Sequence, residues 1–322
     1  MIHLALAFAT TVYIAWSIGA NDETMATAAG SGLFSVDSVV LLGAFMDFLG
    51  AVFLGGEVES TLMRLVPEGG LAGSREVGLI VILMSTATWL SAVSLLGWPV
   101  STTHSAVGAA VGLGLFSGGV EAVPWEVLWK VVSAWAISPL LGLVGAFLIY
   151  LLMDRVALRR ARGLRAREKI EWASAVLVLA WAALTSLSRG GNDIGNATAF
   201  LSPLVGDPLL TRTVAGAGMA VGLVMVGRRV VKTVGNELVY MSPSMALAAQ
   251  SATALVLTGS TLLGLPVSGT HVLVAAMVGV ALAKRARVNP GGLQGILFAW
   301  VVTVPGAALV AYGLAAVTLL LL

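Results

Sequence analysis

The stretch Gly97-Trp-Pro-Val-Ser-Thr-Thr-His104 returns 167 residues later as Gly264-Leu-Pro-Val-Ser-Gly-Thr-His271. Two further pairs flank it in the same order. Gly19-Ala-Asn-Asp22 is echoed by Gly190-Gly-Asn-Asp193 at an offset of 171, and Gly55-Gly-Glu-Val-Glu-Ser-Thr61 by Gly227-Arg-Arg-Val-Val-Lys-Thr233 at an offset of 172. Ordered motifs at a near-constant offset divide the chain into two similar halves. In the third pair, Glu57 and Glu59 of one half stand where the other has Arg229 and Val231. A duplicated loop that is acidic in one copy and basic in the other fits two halves lying in a membrane with opposite orientations.

Composition makes the membrane unavoidable. Of 322 residues, 58% are hydrophobic and 11% charged, with a mean hydropathy of +0.97. A soluble domain carries roughly 25% charged residues, so this chain lacks the polar surface to face water on all sides. Apolar runs near the ~20-residue length that crosses a bilayer fall at 2–18, 33–54, 77–97, 101–118, 125–152, 171–188, 209–226, 243–264, 267–283 and 294–320. The first run has no Lys or Arg ahead of Leu4 and so no basic n-region, and it reads as a retained helix and not as a cleaved leader. Residues 1–150 hold 3 basic and 10 acidic side chains, and 151–322 hold 15 and 6. The densest basic tract, from Arg155 to Lys169, carries seven bases and belongs in the cytoplasm by the positive-inside rule. Counting spans outward from it places Arg228, Arg229, Lys232, Lys284, Arg285 and Arg287 inside. It also places the acidic tract Glu57–Glu76 outside.

The expectation is an all-α polytopic membrane protein of two inverted-topology repeats with broken helices and Pro-Val-Ser-x-Thr helical hairpins. It has about ten crossings, up to twelve helical segments, and both termini outside. The first repeat covers 1–153, a basic linker 154–170 and the second repeat 171–322. Cysteine is absent, so disulfides, thiolate metal sites and cysteine nucleophiles are excluded.

The residues able to do chemistry lie in the repeated motifs. An ionisable side chain at membrane depth is costly and marks a functional site by default. Asn21–Asp22 and Asn192–Asp193 offer hard oxygen ligands for a sodium ion, helped by backbone carbonyls if their helices break there. Pro99-Val-Ser-Thr-Thr103 and Pro266-Val-Ser-Gly-Thr270 read as fresh helix N-termini. Their free N–H groups and the hydroxyls of Ser101, Thr102, Thr103, Ser268 and Thr270 suit a tetrahedral oxyanion. Apart from Arg189, neither half holds an intramembrane base placed as a fixed counter-ion. An anionic cargo would therefore draw most of its countercharge from co-transported cations. No Ser/His/Asp set, metal-ligand cluster or ring of pore charges points to an intramembrane enzyme or a channel.

These motifs together, with Gly190-Gly-Asn-Asp-Ile-Gly-Asn-Ala197 and Gly227…Thr233-Val-Gly235, resemble the inorganic phosphate transporter (PiT) family over nearly the whole chain. The resemblance implies a multi-pass plasma-membrane symporter, not an enzyme. Such a protein imports inorganic phosphate with sodium by alternating access; a proton- or sodium-coupled sulfate permease of the same fold is the alternative. Phosphate, sodium and the lipid bilayer are then its partners, a homodimer is an admissible assembly, and no cofactor or nucleic acid is expected. By the same resemblance Ser101, Thr102, Thr103, Ser268, Thr270, Asn21, Asn192, Asn196 and Gln250 surround the phosphate. Asp22, Asp193, Asn21, Asn192, Thr61 and Thr233 hold sodium.

Two departures stand out. The family's Asn-Asp-x-x-Asn ends at Met25 in the first half, and Gly269 replaces the first Thr of Ser-Thr-Thr-His in the second. Several further residues stay open between two readings. Gln250 and Asp47 lie inside apolar spans as helix glue or as ligands, Glu23 is proton-sensitive or interfacial, and His104 and His271 relay protons or bond to the hairpin backbone.

Overall fold

The computed structural model describes residues 2–95, 101–231, 241–286 and 290–321. The first half contains α1 (Ile2–Ala20), α2 (Ala26–Gly30), α3 (Val36–Leu54), α4 (Gly56–Met63), α5 (Arg75–Leu95), α6 (Thr102–Gly118) and α7 (Trp125–Met153). The second contains α8 (Leu164–Thr198), α9 (Ser202–Val205), α10 (Pro208–Gly222), α11 (Pro243–Leu262), α12 (Gly269–Lys284) and α13 (Pro290–Leu321). Among the described residues, nine helices are long and apolar enough to cross a membrane, and no strand occurs. The tenth expected crossing falls on α12, whose 16 residues cover about 24 Å at ~1.5 Å each, short of ~30 Å of hydrocarbon. Phe53 (73% exposed), Trp129 (64%) and Leu309 (74%) belong to a belt of exposed apolar side chains around the bundle. On a chain without polar surface, that belt is matched to lipid tails.

The helices start where short polar side chains meet apolar runs. Ser35 caps α3 by accepting from Ser38 N–H, and Asp207 caps α10 by accepting from Leu210 N–H. Ser101 and Ser268 cap α6 and α12 in the same way, accepting from His104 and His271 N–H. The serines of both Pro-Val-Ser motifs therefore open helices as expected.

One expectation is corrected, that both Asn-Asp motifs break their helices. Across the basic tract 154–170, a π turn follows α7 at Asp154–Leu158 and α8 starts inside the tract at Leu164. Leu-Arg-Ala-Arg-Glu-Lys are good helix formers, and their helix carries on from the membrane into the basic surface. The two Asn-Asp motifs differ. In the first half the helix stops at Ala20 and resumes at Ala26, whereas 190–198 continue within α8 without a break. The broken-helix reading holds for the first copy alone.

Helices of the two halves pack in exchanged pairs. α1 lies on α10 and α3 on α8; α6 lies on α13 and α7 on α12. A helix crosses a partner closely only where a small residue lets the backbones meet. At the α3–α8 crossing, a Cβ on Gly190 would run into the carbonyl oxygen of Asp47. At α1–α10, a Cβ on Gly222 would run into that of Trp16. Gly112 against Ala308 and Gly279 against Leu143 do the same for the other two crossings.

Substituting Gly222→Leu should therefore lower the stability of the detergent-purified protein by ~1–3 kcal/mol, the usual cost of overpacking. Gly259→Leu, where the added atom meets nothing within 4 Å, should leave the thermal unfolding midpoint nearly unchanged. Equal midpoints for the two variants would refute the role assigned to the α1–α10 crossing.

Candidate functional site

At the break after α1, the N–H of Thr24 donates to Asp22 Oδ1 at 2.7 Å, closing a local turn that competes with the helix. The break brings Asp22 to the side of α8, where Arg189 waits. Arg189 Nη1 donates to Asp22 Oδ1 at 2.8 Å, to Glu23 Oε1 at 3.0 Å and to Thr24 Oγ1 at 3.0 Å. Its Nε donates to Asp193 Oδ2, one helical turn on, at 2.9 Å. All four charged side chains are buried. Glu23, which the sequence left between two roles, is thus a buried partner of Arg189 and not an interfacial group.

Asp47 on α3 completes the cluster. It is fully buried and close enough to Asp22, Arg189 and Asp193 to feel their charges. Its carboxyl lies against that of Asp22, and beyond that mutual contact neither of its oxygens, nor Asp22 Oδ2, meets a donor. Buried polar atoms are normally satisfied. Acceptor oxygens that find no donor are suited to a cation.

The hairpin side is ordered by amides. Asn192 Nδ2 donates to Leu265 O at 2.9 Å and to Thr261 Oγ1 at 3.2 Å, while its Oδ1 accepts from Val267 N–H at 3.0 Å. This one side chain holds the turn that leads into α12. Asn196 Nδ2 donates to Thr103 Oγ1 at 3.0 Å, tying α8 to α6, and its Oδ1 is buried without a donor. The two hairpins meet each other: Thr103 Oγ1 donates to Val267 O at 3.4 Å. The His104 and His271 rings lie 4.9 Å apart, and His104 stacks on Trp135 at 3.8 Å. Trp135 in turn donates its indole N–H to Pro266 O at 2.9 Å.

The proposed ligands therefore separate into groups. Asp22, Asp193, Asn192, Asn196, Thr103 and Ser268 are buried where α1, α8 and the hairpins converge. Ser101 is buried as the cap of α6, and Thr102 and Thr270 are half-buried in the first turns of α6 and α12. Gln250 is buried on α11 and accepts from Thr27 Oγ1 of α2 at 2.9 Å, while its Nε2 finds no acceptor. Asn21 is exposed and its amide turns back to Ser17 O at 2.9 Å, away from the cluster. Thr61 donates to Glu57 O at 3.3 Å, and its Oγ1 lies against Gly264 of the second hairpin. Thr233 and the Pro99–Val100 turn lie outside the described residues.

Sequence reading missed how far Arg189 reaches. Its spacing of four from Asp193 was the available signal, since residues i and i+4 share a helix face. It also missed a second tie: Glu59 of α4 accepts from Thr198 Oγ1 at 3.0 Å and lies 3.6 Å from Arg212 Nε. Among the described residues, no three His, Asp or Glu side chains form a metal-holding group. A sodium ion, which takes mixed carboxylate, amide, hydroxyl and carbonyl oxygens, does not need one.

A multi-pass helical bundle with buried carboxylates beside two capped helix ends has the makings of a membrane transporter, and the comparisons agree. The phosphate transporter family model matches residues 18–311, and the chain belongs to that family. It is 29% identical to the chloroplastic inorganic phosphate transporter 2-1 of Arabidopsis thaliana, over 95% of this chain and 71% of that one. A Helicobacter pylori protein carrying a phosphate permease name is 31% identical over 88% of this chain and 70% of its own. The solved structure of a sodium-dependent phosphate transporter superposes with a TM-score of 0.86 at 26% identity, covering 100% of both chains.

Replacing Asn192 with Ala removes two donors and one acceptor from the hairpin turn, and each buried group left unpaired costs ~1–3 kcal/mol. Phosphate uptake should fall at least ~10-fold, the equivalent of ~1.4 kcal/mol. A Val267→Cys label site, specific because the chain has no native cysteine, should react faster in the Asn192→Ala background. Native uptake and native labelling would contradict the anchoring role.

Proposed function

We propose that the protein imports inorganic phosphate into the cell by sodium symport with alternating access. Sodium binds at Asp22 and Asp193 with neighbouring amide, hydroxyl and carbonyl oxygens, Asp47 adding its charge beside Asp22, and phosphate binds at the N-terminal turns of α6 and α12. The observation that carries this reading is the set of buried acceptor oxygens without donors, Asp22 Oδ2, both oxygens of Asp47 and Asn196 Oδ1. Asn196 lies on α8, the helix that also holds the two hairpins through Asn196 and Asn192. Carboxylates in that position repel an anion until a cation joins them, so cation and phosphate load together.

The exchanged packing of the two halves supports reading 1–153 and 171–322 as inverted repeats that rock about the shared site, the arrangement common to secondary transporters. Asn192 serves this site through the hairpin backbone, and Asn21 stands outside it. The sodium-dependent character of the structural relative supports sodium over protons, and the family supports phosphate over sulfate.

The purified chain in proteoliposomes should accumulate labelled phosphate under an inward sodium gradient. A proton gradient alone should not drive uptake, and excess sulfate should not block it. Asp22→Asn and Asp193→Asn should each abolish uptake while the protein still elutes as a single folded species. Native uptake by either variant, or uptake driven by protons and blocked by sulfate, would sink the reading.

A further inference from the structure

Two sequence features that transport of phosphate with sodium does not itself require meet at Arg189, and a third lies three residues after Asp22. The first is Glu23, an acid beside the Asn-Asp motif, whose Oε1 accepts from Arg189 Nη1 at 3.0 Å. The second is Gly269, where the family pattern has threonine. A Cβ there would stand 3.1 Å from Arg189 Cδ, 3.2 Å from Nε and 3.4 Å from Cγ. A threonine adds a hydroxyl and a methyl beyond that Cβ and would collide with the guanidinium stem, which is held from its far side by ion pairs. Gly269 is the room in which Arg189 lies. The third is Met25, which stands where the pattern has a neutral oxygen ligand and instead packs into an apolar cluster with Val39, Val40 and Leu223. The neighbourhood thus holds a guanidinium and an acid next to Asp22 and carries no oxygen ligand at position 25.

Resting on the sodium-symport reading, we infer that Arg189 is a tethered counter-cation that takes the place of one sodium ion in the carboxylate cluster. The number of sodium ions bound per phosphate then follows the cluster's formal charge. Four carboxylates, Asp22, Glu23, Asp47 and Asp193, face one guanidinium. Arg189 spans from Asp193 of the second half, through Nε, to Asp22 of the first, through Nη1, and so places positive charge between the two acids. Its planar fork reaches several carboxylate groups at once. Unlike sodium, it does not leave the site with the cargo. A purely structural ion lock would hold α1 to α8 equally well, but it would leave the ion count untouched.

The test counts ions. Radioactive sodium and phosphate fluxes are measured side by side in proteoliposomes for the native chain, Arg189→Gln, Glu23→Gln, the double variant and Arg189→Lys. Sodium bound to the detergent-purified proteins is counted by equilibrium dialysis. Arg189→Gln should take one more sodium per phosphate than the native chain, and Glu23→Gln one fewer. The double variant and Arg189→Lys, whose cluster charge equals the native one, should return the native count. An unchanged count in Arg189→Gln overturns the proposal. If that variant does not fold, an unchanged count in Glu23→Gln overturns it. A native chain that accumulates no phosphate under a sodium gradient refutes the transport reading instead, and the dialysis count still decides the role of Arg189.

Discussion

One guanidinium inside a hydrophobic bundle sets the terms for everything packed around it. A charge removed from water is tolerated only when its partners are close and well directed, and a partner left alone is costly. Arg189 meets this by binding Asp22, Glu23 and Asp193 at once, at 2.8–3.0 Å. The rest of the architecture delivers those partners. The break after Ala20 carries Asp22 and Glu23 sideways from the axis of α1. Glycines at 50 and 190 bring α3 onto α8, so that Asp47 reaches the same place. Gly269 leaves space for the arginine stem, and Asn192 fixes the turn from which that glycine hangs.

The two copies of the Asn-Asp motif solve one problem in two ways. In the first, Asp22 bonds the N–H of Thr24, two residues on, and that local bond replaces the helical one. In the second, Asp193 has Arg189 one turn upstream and Asn192 has the hairpin backbone beside it. Each polar side chain is satisfied laterally, and the helix has no reason to open. Similar motifs thus yield a broken helix and a continuous one. The difference lies in what each finds within reach, since propensity is a weak prior that tertiary partners override.

Much of the bundle was legible from apolar run length alone. The spans at 125–152 and 243–264 became α7 and α11 to within a few residues, and the Pro-Val-Ser motifs marked the starts of α6 and α12. Hydropathy did not show that α8 runs through both the basic linker and the second motif. A charged stretch of good helix formers and a Gly-Gly-Asn-Asp stretch each look like interruptions when read locally. The site was half legible. Asp22 and Asp193 stood out as intramembrane acids, but their common partner is 167 residues from Asp22 in sequence, and no local spacing encodes that contact. Asn21 looked equivalent to Asn192, yet its amide points back along its own helix because it falls after the break.

The length of α8 has a consequence beyond chemistry. Its 35 residues run ~52 Å at ~1.5 Å each, well over the ~30 Å of hydrocarbon they cross. It is pinned to α1 through Arg189, to the second hairpin through Asn192 and to α4 through Thr198. A rod pinned in this way cannot slide along the membrane normal when bilayer thickness changes; it tilts. Because the pins are the candidate site itself, a change in bilayer thickness bears on the seat of the second hairpin, and the surrounding lipid becomes part of what positions the site.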